Sequence, residues 1–91
     1  MNRSNLNDEM GHRVRVLRKA RGITQESLGK RIRMSRAMIV NLENGRGNWS
    51  LWRLVQIAAA FKVEVWQICH PQWQTVLGIE ETNGANQDRV A

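Results

Sequence analysis

Arg36, Ala37, Val40 and Asn41 recur at spacings that place them on one side of a short helix, with Ser35 at its tip. Met38, Ile39 and Leu42 fall on the opposite, apolar side. The chemistry of the first set is specific. An arginine can donate two hydrogen bonds to O6 and N7 of a guanine. An asparagine can both donate to and accept from an adenine, and an alanine methyl can touch the methyl of a thymine. Arg36 also suits a phosphate oxygen, and both Arg36 and Asn41 are at home as solvated helix residues. Residue type alone leaves these readings open.

No other stretch offers comparable chemistry. His12 and His70 are distant in sequence, and neither sits in a metal or nucleophile motif. Cys69 is the only cysteine, which excludes an internal disulfide and a cysteine-rich zinc site; it reads as a small buried hydrophobe. No catalytic residue, metal or cofactor is expected, and the chain is not read as an enzyme.

The elements that must position Arg36 and Asn41 follow from periodicity and caps. Residues 1–7 are polar and read as a frayed start. Asn7 is the expected cap of a first helix over residues 8–21, with Met10, Val14, Leu17 and Ala20 as its apolar stripe and Gly22 as its stop. Thr24 caps a second helix, QESLGKRI, in which Leu28 and Ile32 point one way. Gly29 sits in its middle, where glycine costs roughly 1 kcal/mol relative to alanine, so a second backbone is expected to pass close by. Arg33 and Met34 form a turn, and Ser35 caps the third helix, RAMIVNLE, ended by Asn44-Gly45. Residues 46–50 form a loop. Its glycosylation triplet, Asn48-Trp49-Ser50, is discounted in a cytosolic chain. Ser50 caps a fourth helix, LWRLVQIAAAF, expected to be the central buried one. A fifth is expected from Val65 to Cys69, although the alternation Val63-Glu64-Val65-Trp66 also suits a strand. The expected organisation is one all-α domain over 8–70, a compact bundle of about five short helices. A dimerisation extension follows over 71–79, and a polar, disordered tail over 80–91.

Charge is divided along the chain. Residues 10–53 hold eleven basic side chains against only Glu26 and Glu43, whereas residues 54–91 hold Lys62 and Arg89 against four acidic ones. A basic half with a mildly acidic remainder points to a polyanionic partner met by one part of the fold. The chain has no run of about 18 uncharged apolar residues, and its start lacks the apolar centre of a signal peptide. A cytosolic protein without a membrane partner is the expectation.

From about Gly11 to Ile68 the chain resembles the phage repressor and Cro type of helix-turn-helix family. Leu17-Arg18 followed by Gly22-Ile23-Thr24-Gln25 is similar to that family's "LR…GLTQ" run, and Leu28-Gly29 falls at its "LA" position. Ile39 and Leu42-Glu43-Asn44-Gly45 resemble its "IS.LENG" end, and Leu54 with residues 57–63 its closing helix. The resemblance implies a lambda-repressor-like fold with helix 3 in the major groove of double-stranded DNA. It further implies base reading by Arg36, Ala37 and Asn41, with Ser35 and Val40 beside them. Gln25 at the start of helix 2 resembles the family's phosphate clamp. Arg46 and Asn48 lie where a second phosphate would be gripped, and Arg33, with Lys30 and Arg31, adds charge. The resemblance also implies a partly buried ion pair between Arg18 and Glu43 that holds helix 3. Arg33 departs from the family, which has glycine there. A left-handed residue at that point would cost arginine about 1 kcal/mol, unless helix 2 is extended or the turn reshaped.

Four tryptophans, Trp49, Trp52, Trp66 and Trp73, are many for 91 residues. Trp52 and Trp66 suit the core, but at least one tryptophan exceeds what so small a core can bury, and exposed tryptophan favours interfaces. A symmetric homodimer is expected through residues 61–77, anchored by Trp66, Ile68 and Trp73. Trp49 is expected near the DNA backbone or across the dimer. The functional expectation is a repressor acting as a homodimer on an inverted repeat. The alternative is an antitoxin, which would bind a toxin protein as well as its own operator.

Overall fold

The computed structural model describes residues 3–47 and 49–79, with side chains from Leu6 onward. Six helices follow one another among the described residues: α1 (Arg3–Ala20), α2 (Gln25–Ile32), α3 (Arg36–Glu43), α4 (Leu51–Phe61), α5 (Val65–Cys69) and α6 (Trp73–Val76). The architecture is all-helical. None of these helices is long and apolar enough to cross a membrane.

Local chemistry sets most boundaries. Thr24 Oγ1 accepts from the Ser27 N–H at 3.0 Å, Ser35 Oγ from Met38 at 3.2 Å and Ser50 Oγ from Arg53 at 3.1 Å. Each satisfies a donor that the first turn of a helix leaves unpaired. The stretch 63–66 is not a strand. Gln67 Oε1 accepts the Glu64 N–H at 2.8 Å and starts α5 instead.

The turn between α2 and α3 keeps its left-handed residue. Arg33 has φ 59° and ψ 47°, and the Met34 N–H reaches back to the Gly29 carbonyl at 2.8 Å. Arginine therefore occupies the left-handed position of a helix-ending motif usually held by glycine, at a cost of about 1 kcal/mol. Lys62 does the same at the end of α4, with φ 59°. Gly29 is explained by the same turn: a Cβ there would collide with the Met34 carbonyl oxygen.

The start of α1 differs from expectation. The helix begins at Arg3, so Asn7 lies inside it and caps nothing. Tertiary contact outweighs the cap signal. Met10 packs on the core, and Asp8 lies against Gly45 in the turn after α3, which holds the first turns as helix.

The core is centred on Val14, Leu17, Leu28, Ile39, Ile57 and Ile68. It differs from the periodicity reading in four places. Met38, expected on the buried side of α3, is 44% exposed, because α3 is covered by α1 and α2 and not from the side of α4. The fourth helix buries only Leu54, Ile57, Ala58 and Phe61, and leaves Leu51, Trp52 and Val55 in solvent. Trp66 is exposed too. Trp73 and Ile68, expected as exposed dimer anchors, are buried in the monomer and cannot serve that purpose.

Arg13 packs against the buried ring of Trp73. Its guanidinium lies 5.3 Å from the centre of the Trp73 ring, donates to the Ile68 and His70 carbonyls at 2.7 and 3.1 Å, and pairs with Glu9 at 2.8 Å. The segment 71–79, expected as a dimerisation extension, folds back through Trp73 onto α1 and α5, and Leu77 and Ile79 pack on the core. The expected tail over 80–91 lies outside the described residues.

Gly11 marks a further close approach, one that the sequence alone does not signal. A Cβ on Gly11 would collide with the carbonyl oxygens of Leu42 and Glu43, because α1 and α3 cross backbone to backbone there. Gly11→Ala should cost about 1–3 kcal/mol, read as a midpoint loss of several degrees in a thermal melt. An unchanged melt would mean that the crossing is looser than described.

Candidate nucleic-acid interface

The third helix presents Ser35, Arg36, Ala37, Met38 and Asn41 to solvent, with Val40 half-buried and Ile39, Leu42 and Glu43 turned inward. The apolar inner face packs against α1 and α2, so the orientation of the outer face is set by the crossing and not by α3 itself. Met38 joins the exposed face although periodicity placed it inside. Its thioether side chain lines a shallow cleft with Asn41, Gly47 and Arg53.

A continuous chain of hydrogen bonds runs from α1 to the tip of α3. Arg18 Nε donates to Glu43 Oε2 at 2.6 Å and Arg18 Nη2 to Glu43 Oε1 at 3.1 Å. The remaining Arg18 nitrogen, Nη1, donates to the Ile23 carbonyl at 2.9 Å. Gln25 Nε2 donates to Glu43 Oε1 at 3.1 Å, and Gln25 Oε1 accepts from Arg36 Nε at 3.4 Å. Arg18 and Glu43 are 7% and 6% exposed. Two charges this far from water are tolerable only when geometry and hydrogen bonding are complete, and here Glu43 receives three donors.

Gln25 is therefore turned inward. Its amide N–H groups meet Glu43, while Thr24, Gln25, Glu26, Arg15, Arg18 and Arg36 line an open cleft of about 580 Å³ between α1, α2 and the start of α3. Arg33 is exposed at the corner between α2 and α3, and Arg46 is exposed just beyond α3. Asn48 lies outside the described residues. No local signal in the sequence places Arg15 or Arg53 at this face. The fold puts Arg15 beside Arg36 and Arg53 beside Asn41, so basic side chains flank α3 on both sides. Only the tertiary fold, which brings Arg15 of α1 and the Arg53 side chain beside α3, reveals this.

Other basic residues are used inside the fold. Arg21 donates to the Phe61 carbonyl at 3.0 Å and Arg31 to the Ala60 carbonyl at 3.2 Å. Both place positive charge at the C-terminal end of α4, where the helix dipole favours it. Trp49 is likewise structural. It is half-buried against the core, and its Nε1 donates to the Leu42 carbonyl at 3.0 Å.

Comparison with known proteins agrees with this geometry. The profile of the family described as "Helix-turn-helix domain" matches residues 9–65. Over 60 residues the chain is 42% identical to the competence pilus inhibition repressor of Acinetobacter baylyi. That match covers 66% of this chain and 54% of the relative, so the chain spans about half the relative's length. The crystal structure of the restriction-modification controller protein C.AhdI from Aeromonas hydrophila is similar, with TM-score 0.66 and 30% identity over 70% of this chain and 97% of that one. The clp gene regulator ClgR from Corynebacterium glutamicum aligns with TM-score 0.68 and 26% identity, over 70% of this chain and 83% of that chain.

The buried pair makes a sharp prediction. Arg18→Met or Glu43→Leu alone strands the other charge and should cost about 3–5 kcal/mol. The double substitution removes both charges and should cost less than either single change. Denaturant titration of the three variants checks this, and additive losses would show that the charges are not coupled.

Proposed function

The chain belongs to the helix-turn-helix domain family of DNA-binding transcriptional regulators, and from that premise we propose that it is a repressor that binds an inverted-repeat operator as a homodimer. The observation that carries this reading is the solvent face of α3. Arg36, Ala37 and Asn41 stand together on a helix whose orientation a buried ion pair holds, and Arg36 is itself hydrogen-bonded to Gln25. Pre-placed arginine and asparagine suit direct readout of guanine and adenine, and the exposed alanine suits a thymine methyl.

In this reading Arg36, Ala37 and Asn41 read bases, and Ser35 and Val40 border them. Arg33 and Arg46, exposed at opposite ends of α3, meet phosphates and set the register of the helix in the groove. Gln25, whose side chain is held by Glu43 and Arg36, offers a phosphate its backbone N–H at the start of α2. Asn48, two positions after Arg46 in the sequence, is a further phosphate donor in this reading. Two copies joined about a twofold axis place their α3 helices about 34 Å apart, matching successive major-groove faces. Repression is supported by the repressor of Acinetobacter baylyi. The regulator names of the relatives favour an operator over a toxin as the partner.

Selection of bound sequences from a random DNA pool at two salt concentrations should return a palindromic consensus. Arg36→Ala and Asn41→Ala should each relax preference at particular base pairs by about 1–3 kcal/mol. Arg46→Ala should weaken all sequences alike and reduce the slope of log affinity against log salt by about 1. If Arg36→Ala instead lost the same affinity for every sequence, base reading by Arg36 would be wrong.

A further inference from the structure

Met38 is the exposed large apolar side chain of α3, while Ile39 and Leu42 supply that helix's share of the core. At 3.6 residues per turn, Arg36 and Met38 stand about 100° to either side of Ala37. Asn41 lies three residues beyond Met38, and residues at that spacing are neighbours on a helix surface. The solvent face of α3 thus has two flanks, a charged one at Arg36 and an apolar one at Met38 and Asn41. On the apolar flank, Met38 and Asn41 line an open cleft of about 230 Å³ with Gly47 and Arg53, and the buried Met34 and Leu42 complete its lining.

We propose that this cleft receives the 5-methyl group of a thymine, with Met38 as a specificity-determining residue beside Asn41. The proposal rests on the reading of α3 as the base-contacting helix and adds a contact to it.

Three observations select a thymine methyl as the occupant. The first is position. On its major-groove edge an A·T pair offers N7 and the N6 amino group of adenine beside O4 and the 5-methyl group of thymine. A side chain that takes the adenine therefore has a methyl group close by, and Asn41, which suits adenine, shares its cleft with Met38. The second is the lining. Met34, Met38 and Leu42 are apolar, and a thioether sulfur is only a weak acceptor. The polar edge of a base or a phosphate oxygen finds no partner at Met38, whereas an unbranched thioether adapts readily to an irregular apolar surface. The third is Arg53. Its Nη1 donates to Gln56 Oε1 at 2.8 Å, which holds the guanidinium at the cleft and leaves its other nitrogens for the phosphate beside the same base pair. An apolar contact next to a fixed cation matches the edge of the groove, where the methyl belongs to the base and the charge to the backbone.

The test uses the full chain and the sequence that it selects from a random DNA pool, with each thymine replaced in turn by deoxyuridine. That replacement removes the methyl group and nothing else. At one thymine in each half-site the wild type should lose about fourfold in affinity, the factor that transfer of one methyl group out of water supplies. Met38→Ala should bind thymine and deoxyuridine equally there, and Met38→Leu should keep the discrimination. Asn41→Ala should lose its preference for adenine in the same or the adjoining base pair. Met38 is exposed, so its variants should keep the wild-type circular-dichroism melt. Thymine and deoxyuridine are compared within each variant, so a general loss of affinity cancels. Discrimination that survives Met38→Ala at every thymine overturns the cleft while leaving base reading by α3 standing. A wild type indifferent to deoxyuridine at every position also overturns it. A chain that selects no sequence from the pool overturns both the cleft and the reading on which it rests.

Discussion

The ion pair between Arg18 and Glu43 is the constraint on which the exposed face of α3 depends. Taking both charges out of water is costly, and the cost is offset only by a nearly complete set of partners: both Glu43 oxygens accept from Arg18, and one also accepts from Gln25. Such an arrangement tolerates little displacement. It ties the end of α3 to α1 while Gly11 lets the two backbones meet, and it reaches Arg36 at the other end through Gln25. Helices α2 and α3 have eight residues each and would be marginal alone. Their stability and their orientation come from the same contacts.

The arginines divide into two populations that composition cannot separate. Arg13, Arg18, Arg21 and Arg31 donate to internal groups, three of them to carbonyls at or just past the ends of α4 and α5. Arg15, Arg33, Arg36 and Arg46 face solvent around α3. The basic half of the chain is thus both scaffold and binding surface. The apolar residues divide similarly. Trp73 is buried with the Arg13 guanidinium against its ring, whereas Trp52 and Trp66 remain outside.

Much of the fold could be read from the chain. Thr24, Ser35 and Ser50 mark the starts of α2, α3 and α4 because a cap acts on an N–H three residues away. Gly29 signals a close approach because no other residue tolerates one, and the Met34 carbonyl is what approaches. The candidate site was legible to the same degree: Ser35, Arg36, Ala37 and Asn41 could be placed on one face of α3 from helical spacing alone. Asn7 shows where this reasoning fails. It has the right type for a cap, yet packing of Met10 and Asp8 carries the helix past it.

What the sequence determined by itself, then, is whatever acts within about one helical turn: caps, the faces of α2 and α3, and the left-handed demand that falls on Arg33. What only tertiary structure decided is which side of each face meets another helix. Periodicity placed Met38 inside and made α4 the central buried helix, but burial needs a neighbour, and among the described residues none covers Met38, Leu51 or Trp52. The reverse holds for Trp73, which is buried with Arg13, 60 positions earlier in the chain, against its ring. Local hydrogen bonds leave a local trace in sequence. Desolvation is set by residues brought together from across the chain, and the linear order does not record them.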